Sequence, residues 1–149
     1  MPSSTSFGTT IGISAGVPAT FDAAGYSALT YTTIGGVESI PAIGPSSAVN
    51  SFQPLNGPQE KHKGPPSYGS LALSVAHDKS DAGQTLLRTA ADPTNNALYA
   101  ILITFPNGDK VYSRGRAFGY QFTAGSATNV LMANSTLEIS TATVFVAGT

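Results

Sequence analysis

The chain has 149 residues, a net charge of −1, no cysteine and no tryptophan. A chain of that length is most simply one domain able to bury roughly 70% of its unfolded surface, so its core needs no covalent staple. The missing thiols exclude disulfides and thiolate metal sites, and charged residues at only 10% provide no concentrated basic surface for free nucleic acid or an anionic membrane.

Sixteen glycines and ten prolines would fit disorder, but 41% apolar residues in regular alternation point to a folded β-protein. Low charge also fits a surface that ends inside an assembly, because interface cores are depleted of charge. The longest apolar run, 97–103, is too short to span a bilayer. The opening "MPSSTSFG" lacks a basic stretch followed by an apolar one, so the chain is expected to stay in the cytoplasm of the cell that makes it.

In chain order, "TTIGISA" (9–15) alternates Ile11 and Ile13 with small residues and predicts a first strand. "GVPATFDAAGYSA" reads as a loop. "LTYTTIGGVESI" (29–40) alternates again, with Gly35 and Gly36 marking a kink or bulge. From 44 to 66 the pattern disappears: Pro45, Pro54, Pro58, Pro65 and Pro66 flank the polar knot "QEKHK", and so long an irregular loop in a compact domain is functional or mobile. "YGSLALSV" (68–75) resumes as a strand with Leu71, Leu73 and Val75 on one face. Asp81 followed by Gln84 resembles a capping box, and Leu86, Leu87, Ala90 and Ala91 form the apolar stripe of the one expected helix, ended by Pro93.

"TFPNGDKVYSRGR" (104–116) predicts a hairpin in register. Pro106 presets φ for a type I turn and Gly108 supplies the left-handed residue of a three-residue loop. Phe105 then pairs with Asp109, Ile103 with Val111, Leu102 with Tyr112, Ile101 with Ser113 and Tyr99 with Gly115. Ile101, Ile103, Phe105, Val111, Ser113, Gly115 and Ala117 form a core face. The opposite face carries Leu98, Ala100, Leu102, Lys110, Tyr112, Arg114 and Arg116, and the strand is expected to run on through Phe118, Tyr120 and Phe122 on the same parity. That face is too apolar to stay bare, so a helix or another subunit should cover it. Leu98, Leu102, Tyr112, Arg114, Arg116 and Phe118 are the candidate intersubunit residues. The chain closes on "NSTLEISTATVFVAG", where Leu137, Ile139, Thr141 and Thr143 alternate with Glu138, Ser140, Ala142 and Val144. The fold class is mainly β: about six or more strands in a sandwich or barrel with one short flanking helix.

Catalytic signals are thin. "GISAG" (12–16) matches the G-x-S-x-G nucleophile elbow, yet little chain precedes it to build a sheet and Val17-Pro18 follows where a helix should begin, so a chance match outweighs catalysis by Ser14. His62 lies between Lys61 and Lys63, which disfavour a cation, and His77-Asp78 precedes the helix cap as a polar loop pair. No phosphate-binding loop, carboxylate pair or H-E-x-x-H occurs, so no cofactor or metal is expected. "NST" at Asn134 matches a glycosylation acceptor without a secretion signal. Lys110, Arg114 and Arg116 share a hairpin face, and pairing with acids of a neighbouring chain accounts for them better than nucleic acid does.

"FGTTIGISAG", "YSALTYTTIGGVESI", a long loop ending in "KG", "YGSLALSV" before "DAGQTLLRTA", and above all "ILITFPNGDKVYSRGRAFGY" resemble the major tail tube proteins of long, flexible-tailed bacteriophages. The likeness covers nearly the whole chain, and the "FPNG" turn downstream of a capped helix is its most specific element. The resemblance implies a β-sandwich or barrel in hexameric rings that stack into a tube around the path of the genome. Some members carry a further immunoglobulin-like domain; a chain ending at Thr149 would hold the tube domain alone, 1–149. The implied partners are further copies of the chain, the tail tip, tape measure and tail terminator proteins, and phage DNA passing without sequence-specific binding, with no membrane. The implied location is the virion tail, after synthesis in the host cytoplasm. The 44–66 loop becomes the inter-ring connector, with Phe52, Gln59, Glu60, Lys61, His62 and Lys63 as contact candidates, expected to be mobile in the monomer and ordered between rings. The lumen should be acidic or neutral, with Glu38 and Glu138 as candidates. A capsid-decorating or adhesive β-sandwich and, more remotely, a small serine hydrolase are the alternatives.

Overall fold

The structure, a computed structural model, describes residue 3 and residues 5–148; Met1 and Thr149, the expected domain limits, lie outside the described residues. The elements are β1 (Thr10–Ser14), α1 (Ala23–Ser27), β2 (Thr32–Thr33), β3 (Val37–Ser39), β4 (Ser46–Phe52), β5 (Glu60–Ser67), β6 (Ser70–Ala76), α2 (Ala82–Ala90), β7 (Tyr99–Thr104), β8 (Lys110–Ala117), β9 (Gln121–Thr123), β10 (Met132–Ile139) and β11 (Val144–Val146). The main sheet runs β2-β1-β7-β8-β10-β6-β3, with β11 on β8 and β9 on β10, and its paired strands are antiparallel.

The sheet must curl. β2 and β3 stand at opposite ends of the strand order, yet only residues 34–36 join them, and a chain that short spans at most about 14 Å. The link is fastened to both edges: Ile34 N donates to Ile11 O (2.9 Å) and Ala76 N donates to Gly36 O (2.8 Å). Gly36, at φ +72°, takes the left-handed conformation that turns the chain between them. The expected single strand with a glycine kink is therefore two strands on opposite edges of a half-barrel. Inside lies the core, with Ile11, Ile13, Leu71, Leu73, Ile101, Ile103 and Leu137 at most 1% exposed.

The hairpin β7–β8 has the register expected from its turn, Ile103 opposite Val111 through Tyr99 opposite Gly115. Phe105 N donates to Asp109 O (2.9 Å), and Gly108 has φ +94°. β8 does not run straight on to Phe122. Five positions along β10, Leu137 to Ala133, face six along the partner, Ala117 to Phe122. The extra residue is a bulge at 118–120, where Phe118 N donates to Thr136 O (2.8 Å). Tyr120 is thereby turned off the outer parity and packs against the core. The C-terminal alternation is broken likewise: Ile139 pairs with Gly115 and Val144 with Tyr112, so 140–143 bulge out. There the Thr141 hydroxyl accepts from Arg114 N (3.0 Å), replacing a ladder carbonyl.

α2 starts where expected, with the Asp81 carboxylate accepting from Gln84 N (2.9 Å). Leu87 and Ala90 are buried and Leu86 and Ala91 partly so. The helix closes the seam of the barrel, since Asp81 also accepts from Gly35 N (3.1 Å). Gln84, fully buried, donates from Nε2 to Gly35 O (2.7 Å) and Ala76 O (2.9 Å). Its Oε1 accepts from Asp78 N (2.8 Å) and the Tyr120 hydroxyl (3.2 Å). A second helix, α1, occupies the expected loop. It is a single turn capped by Asp22, which accepts from Gly25 N (2.9 Å) and from the Thr20 hydroxyl (2.7 Å). Those two bonds hold the Asp22 carboxyl below the usual carboxylate range.

Candidate assembly surface

With neither a nucleophile nor a metal motif to build on, the surface that distinguishes this fold is the segment expected to be irregular at 44–66. It is a β-hairpin. β4 and β5 pair antiparallel, Phe52 with Glu60, Ser51 with Lys61, Asn50 with His62 and Val49 with Lys63, as a two-stranded sheet separate from the main one. Every residue of both strands is exposed except Gly64, which is half-buried. β3 pairs with β6 at the base and β4 with β5 beyond it, so the strands form one long hairpin whose root belongs to the barrel and whose outer part stands free as an arm. At about 3.4 Å per residue, β5 alone extends roughly 25 Å. Each arm strand is an edge, which is why Pro65 and Pro66 fit in β5 without costing a ladder bond.

The arm has two faces and a tip. Val49, Ser51, Lys61 and Lys63 share one face; Asn50, Phe52, Glu60 and His62 share the other, where His62 Nε2 lies 4.0 Å from the Glu60 carboxylate. The tip, 53–59, is tied by Gln53 Nε2, which donates to Pro54 O (3.0 Å) and Gly57 O (2.9 Å). Leu55 there is fully exposed and Phe52 is 58% exposed. The inter-ring candidates Phe52, Gln59, Glu60, Lys61, His62 and Lys63 thus all lie on the arm, in a segment already paired in the single chain rather than loose.

The candidate intersubunit face is mostly covered from within. Tyr112 is 3% exposed; Tyr26 of α1 stacks on its ring at 5.6 Å, and Tyr31 lies 6.0 Å away. Leu29, Leu102, Val144 and Val146 pack around them. Burial pushes the Tyr112 hydroxyl up in pKa, as it does that of Tyr31. The cover for Leu102 and Tyr112 is therefore α1 with its flanking loop and β11, not a neighbouring subunit. Leu98 is half-buried and Arg116 Nε donates to Asn96 O (2.9 Å). Arg114 is 8% exposed, with its guanidinium 5.9 Å from the Phe21 ring. Phe118, at the bulge, is 65% exposed and remains available. Leu102→Asp is accordingly expected to destabilise the isolated subunit by about 2 kcal/mol through an unpaired charge beside Tyr112. Urea unfolding of dilute monomer checks this; an unchanged midpoint would return Leu102 to an intersubunit role.

Glu138 is exposed on the outer face of β10, opposite Ser70 on one side and Arg116 on the other. Its neighbours are short side chains: Thr136 opposite Ala72 and Asn134 opposite Ser74. Glu38 is exposed in the irregular register between β3 and β6 and lines a cavity with Ile40, Ile103 and Phe105. Ser14 ends β1, 5% exposed, with its hydroxyl accepting from Gly16 N (3.1 Å). His62 is on the arm, and His77 Nδ1 lies 3.1 Å from the Tyr120 hydroxyl. No histidine is a hydrogen-bond partner of Ser14 among the described residues.

Sequence reasoning missed two features of this surface. One is Gln84, read only as a cap partner though it joins α2, the seam and Tyr120. The other is a groove of about 870 Å³ between 5–9 and 37–43, floored by Ile103 and Phe105.

No protein-family model matches the chain, and no curated protein matches it significantly. Solved structures do. A chain of the anti-feeding prophage baseplate, determined by cryo-EM with 6-fold symmetrisation, superposes with a TM-score of 0.71 at 10% identity, covering 99% of this chain and 97% of that one. A chain from the sheath/tube terminator of an extracellular contractile injection system (PVC) in the extended state gives 0.73 at 10% identity over 99% of both chains. The SPP1 tail tube, solved by solid-state NMR and cryo-EM, gives 0.61 at 13% identity over 95% of this chain and 77% of that one. The fold is therefore of the tail tube type, as the sequence resemblance implied.

Proposed function

We propose that this chain is a structural subunit of a phage tail tube, without catalytic activity, that assembles as hexameric rings stacked into a channel for genome passage. The observation that carries the reading is the free arm on a tail-tube-type body. A two-stranded hairpin with neither face covered is marginal on its own, and it becomes useful when a second body receives it. The short side chains on the outer faces of β6 and β10, with Glu138, suit a channel wall, because an acidic or neutral surface does not hold DNA. The tail tip, tape measure and tail terminator proteins are the corresponding partners, and the virion tail, reached after synthesis in the host cytoplasm, the corresponding location.

Electron microscopy of the purified protein at rising concentration tests the reading, with tubes as the expected result. Replacing the chain between Val49 and Tyr68 by a short Gly-Ser linker should leave β-rich circular dichroism and cooperative melting intact while abolishing tubes. Tubes of normal length from that variant would remove the arm from assembly. A discrete oligomer that never polymerises would favour the decorating β-sandwich.

A further inference from the structure

We infer that the groove between 5–9 and 37–43 is the receptor for the arm tip of a second copy of this chain. The inference rests on the assembly reading above and names the surface the arm meets.

The groove lies where the half-barrel is open, between the segment leading into β1 and the β3 limb that climbs towards the arm. Ile103 and Phe105 make its floor, Ile40 and Ile43 line one rim, and Phe7, 92% exposed, lines the other. Ile103 is closed off in the core and Phe105, Ile40 and Ile43 are half-buried, but Phe7 stands open to water, and an aromatic ring bared beside an apolar groove is what a monomer normally covers.

The occupant follows from complementarity on both sides of the arm. Glu38 is the groove's one ionisable residue. The aspartates Asp22, Asp78, Asp81, Asp92 and Asp109 each accept hydrogen bonds from nearby backbone or side-chain groups, and Glu138, which like Glu38 has no such partner among the described residues, lies outside the groove on β10. Glu38 makes no hydrogen bond or ion pair among the described residues. The arm's Lys61–Lys63 face is basic and free of acids, while its other face presents Phe52. An arm entering edge-on sets Leu55 over the half-buried Phe105, Lys61 towards Glu38 and Phe52 towards Phe7. Donor and receptor are different surfaces, so each copy offers one of each, and a head-to-tail contact between them leaves one of each free at the ends to add further copies.

Because the chain has no cysteine, one introduced thiol reports on the contact cleanly. Gln59→Cys, carrying a maleimide-linked benzophenone, is assembled with unlabelled protein, photolysed and mapped by mass spectrometry. Cross-links into 5–9 or 37–43 of another copy are expected; cross-links confined to other segments overturn the docking while leaving tube assembly standing. In parallel, Glu38→Lys should raise the concentration needed for assembly about tenfold, a change worth about 1.4 kcal/mol. Adding Lys61→Glu in the same chain should restore it. Melting of each variant separates lost docking from lost folding, and a double variant that folds but assembles no better than Glu38→Lys overturns the proposal. Wild-type protein that never polymerises removes the assembly reading and the docking together.

Discussion

Gln84→Leu is expected to lower stability by about 4 kcal/mol and the melting temperature by about 10–15 °C. Leucine nearly fills the volume but strands the groups that the amide joins. Gly35 O and Ala76 O lose their donor, Asp78 N loses its acceptor, and the Tyr120 hydroxyl keeps only His77 Nδ1. Each stranded buried group costs about 1–3 kcal/mol, and those nearest the surface recover part of this by binding water. Gln84→Glu sharpens the result, because a carboxylate keeps the acceptor but turns an anion towards two carbonyls. That variant should gain stability as pH falls and the carboxyl protonates. Thermal denaturation followed by circular dichroism measures both; a Gln84→Leu protein melting within about 3 °C of wild type would show that the seam does not depend on this amide.

Gly83→Ala should cost about 3 kcal/mol, although helix propensity alone favours alanine by about 1 kcal/mol. A Cβ at Gly83 would fall 2.6 Å from Ile34 Cα and also against the Thr33 carbonyl. These are backbone atoms of the link that closes the barrel, so they cannot turn aside as a side chain would. Relief requires α2 to lift, and lifting it pulls Gln84 from its partners. Urea unfolding gives the sign directly, and a stabilised Gly83→Ala protein would mean that α2 is not pressed on the seam.

What was legible in the sequence was local chemistry. The β7–β8 register follows from Pro106 and Gly108, and the start of α2 from Asp81 and Gln84, because each signal lies within a few residues of the structure it specifies. Alternation worked where one face is buried, as for Leu71, Leu73 and Val75. It failed on the arm, since strands buried on neither face carry no apolar period, and "SSAVNSF" and "EKHKGPPS" pair through their backbones alone. α1 is too short for a helical period; its signal was Thr20 and Asp22 ahead of Gly25, a cap without a stripe. The outer face of β7–β8 was correctly read as needing cover. Its source was misjudged because Tyr26 and Val144 lie far from Tyr112 in sequence, and tertiary contact of that range leaves no local mark.

The separation of pairing strands also sets an order of events on the ribosome. β4 and β5 are divided only by the tip 53–59, so the arm can zip as soon as Ser67 has emerged. β1 must wait for β7, since Ile11 and Ile13 pair with Ile103 and Ile101, and contacts of such long range form late. The groove floor, Ile103 and Phe105, belongs to that late set. On the docking inferred above, a nascent chain presents its projecting element well before it owns a completed seat for a neighbour's. Unfinished or truncated chains ending before Tyr99 lack the floor altogether, so under the proposed assembly they could extend an arm to a neighbour but could not receive one.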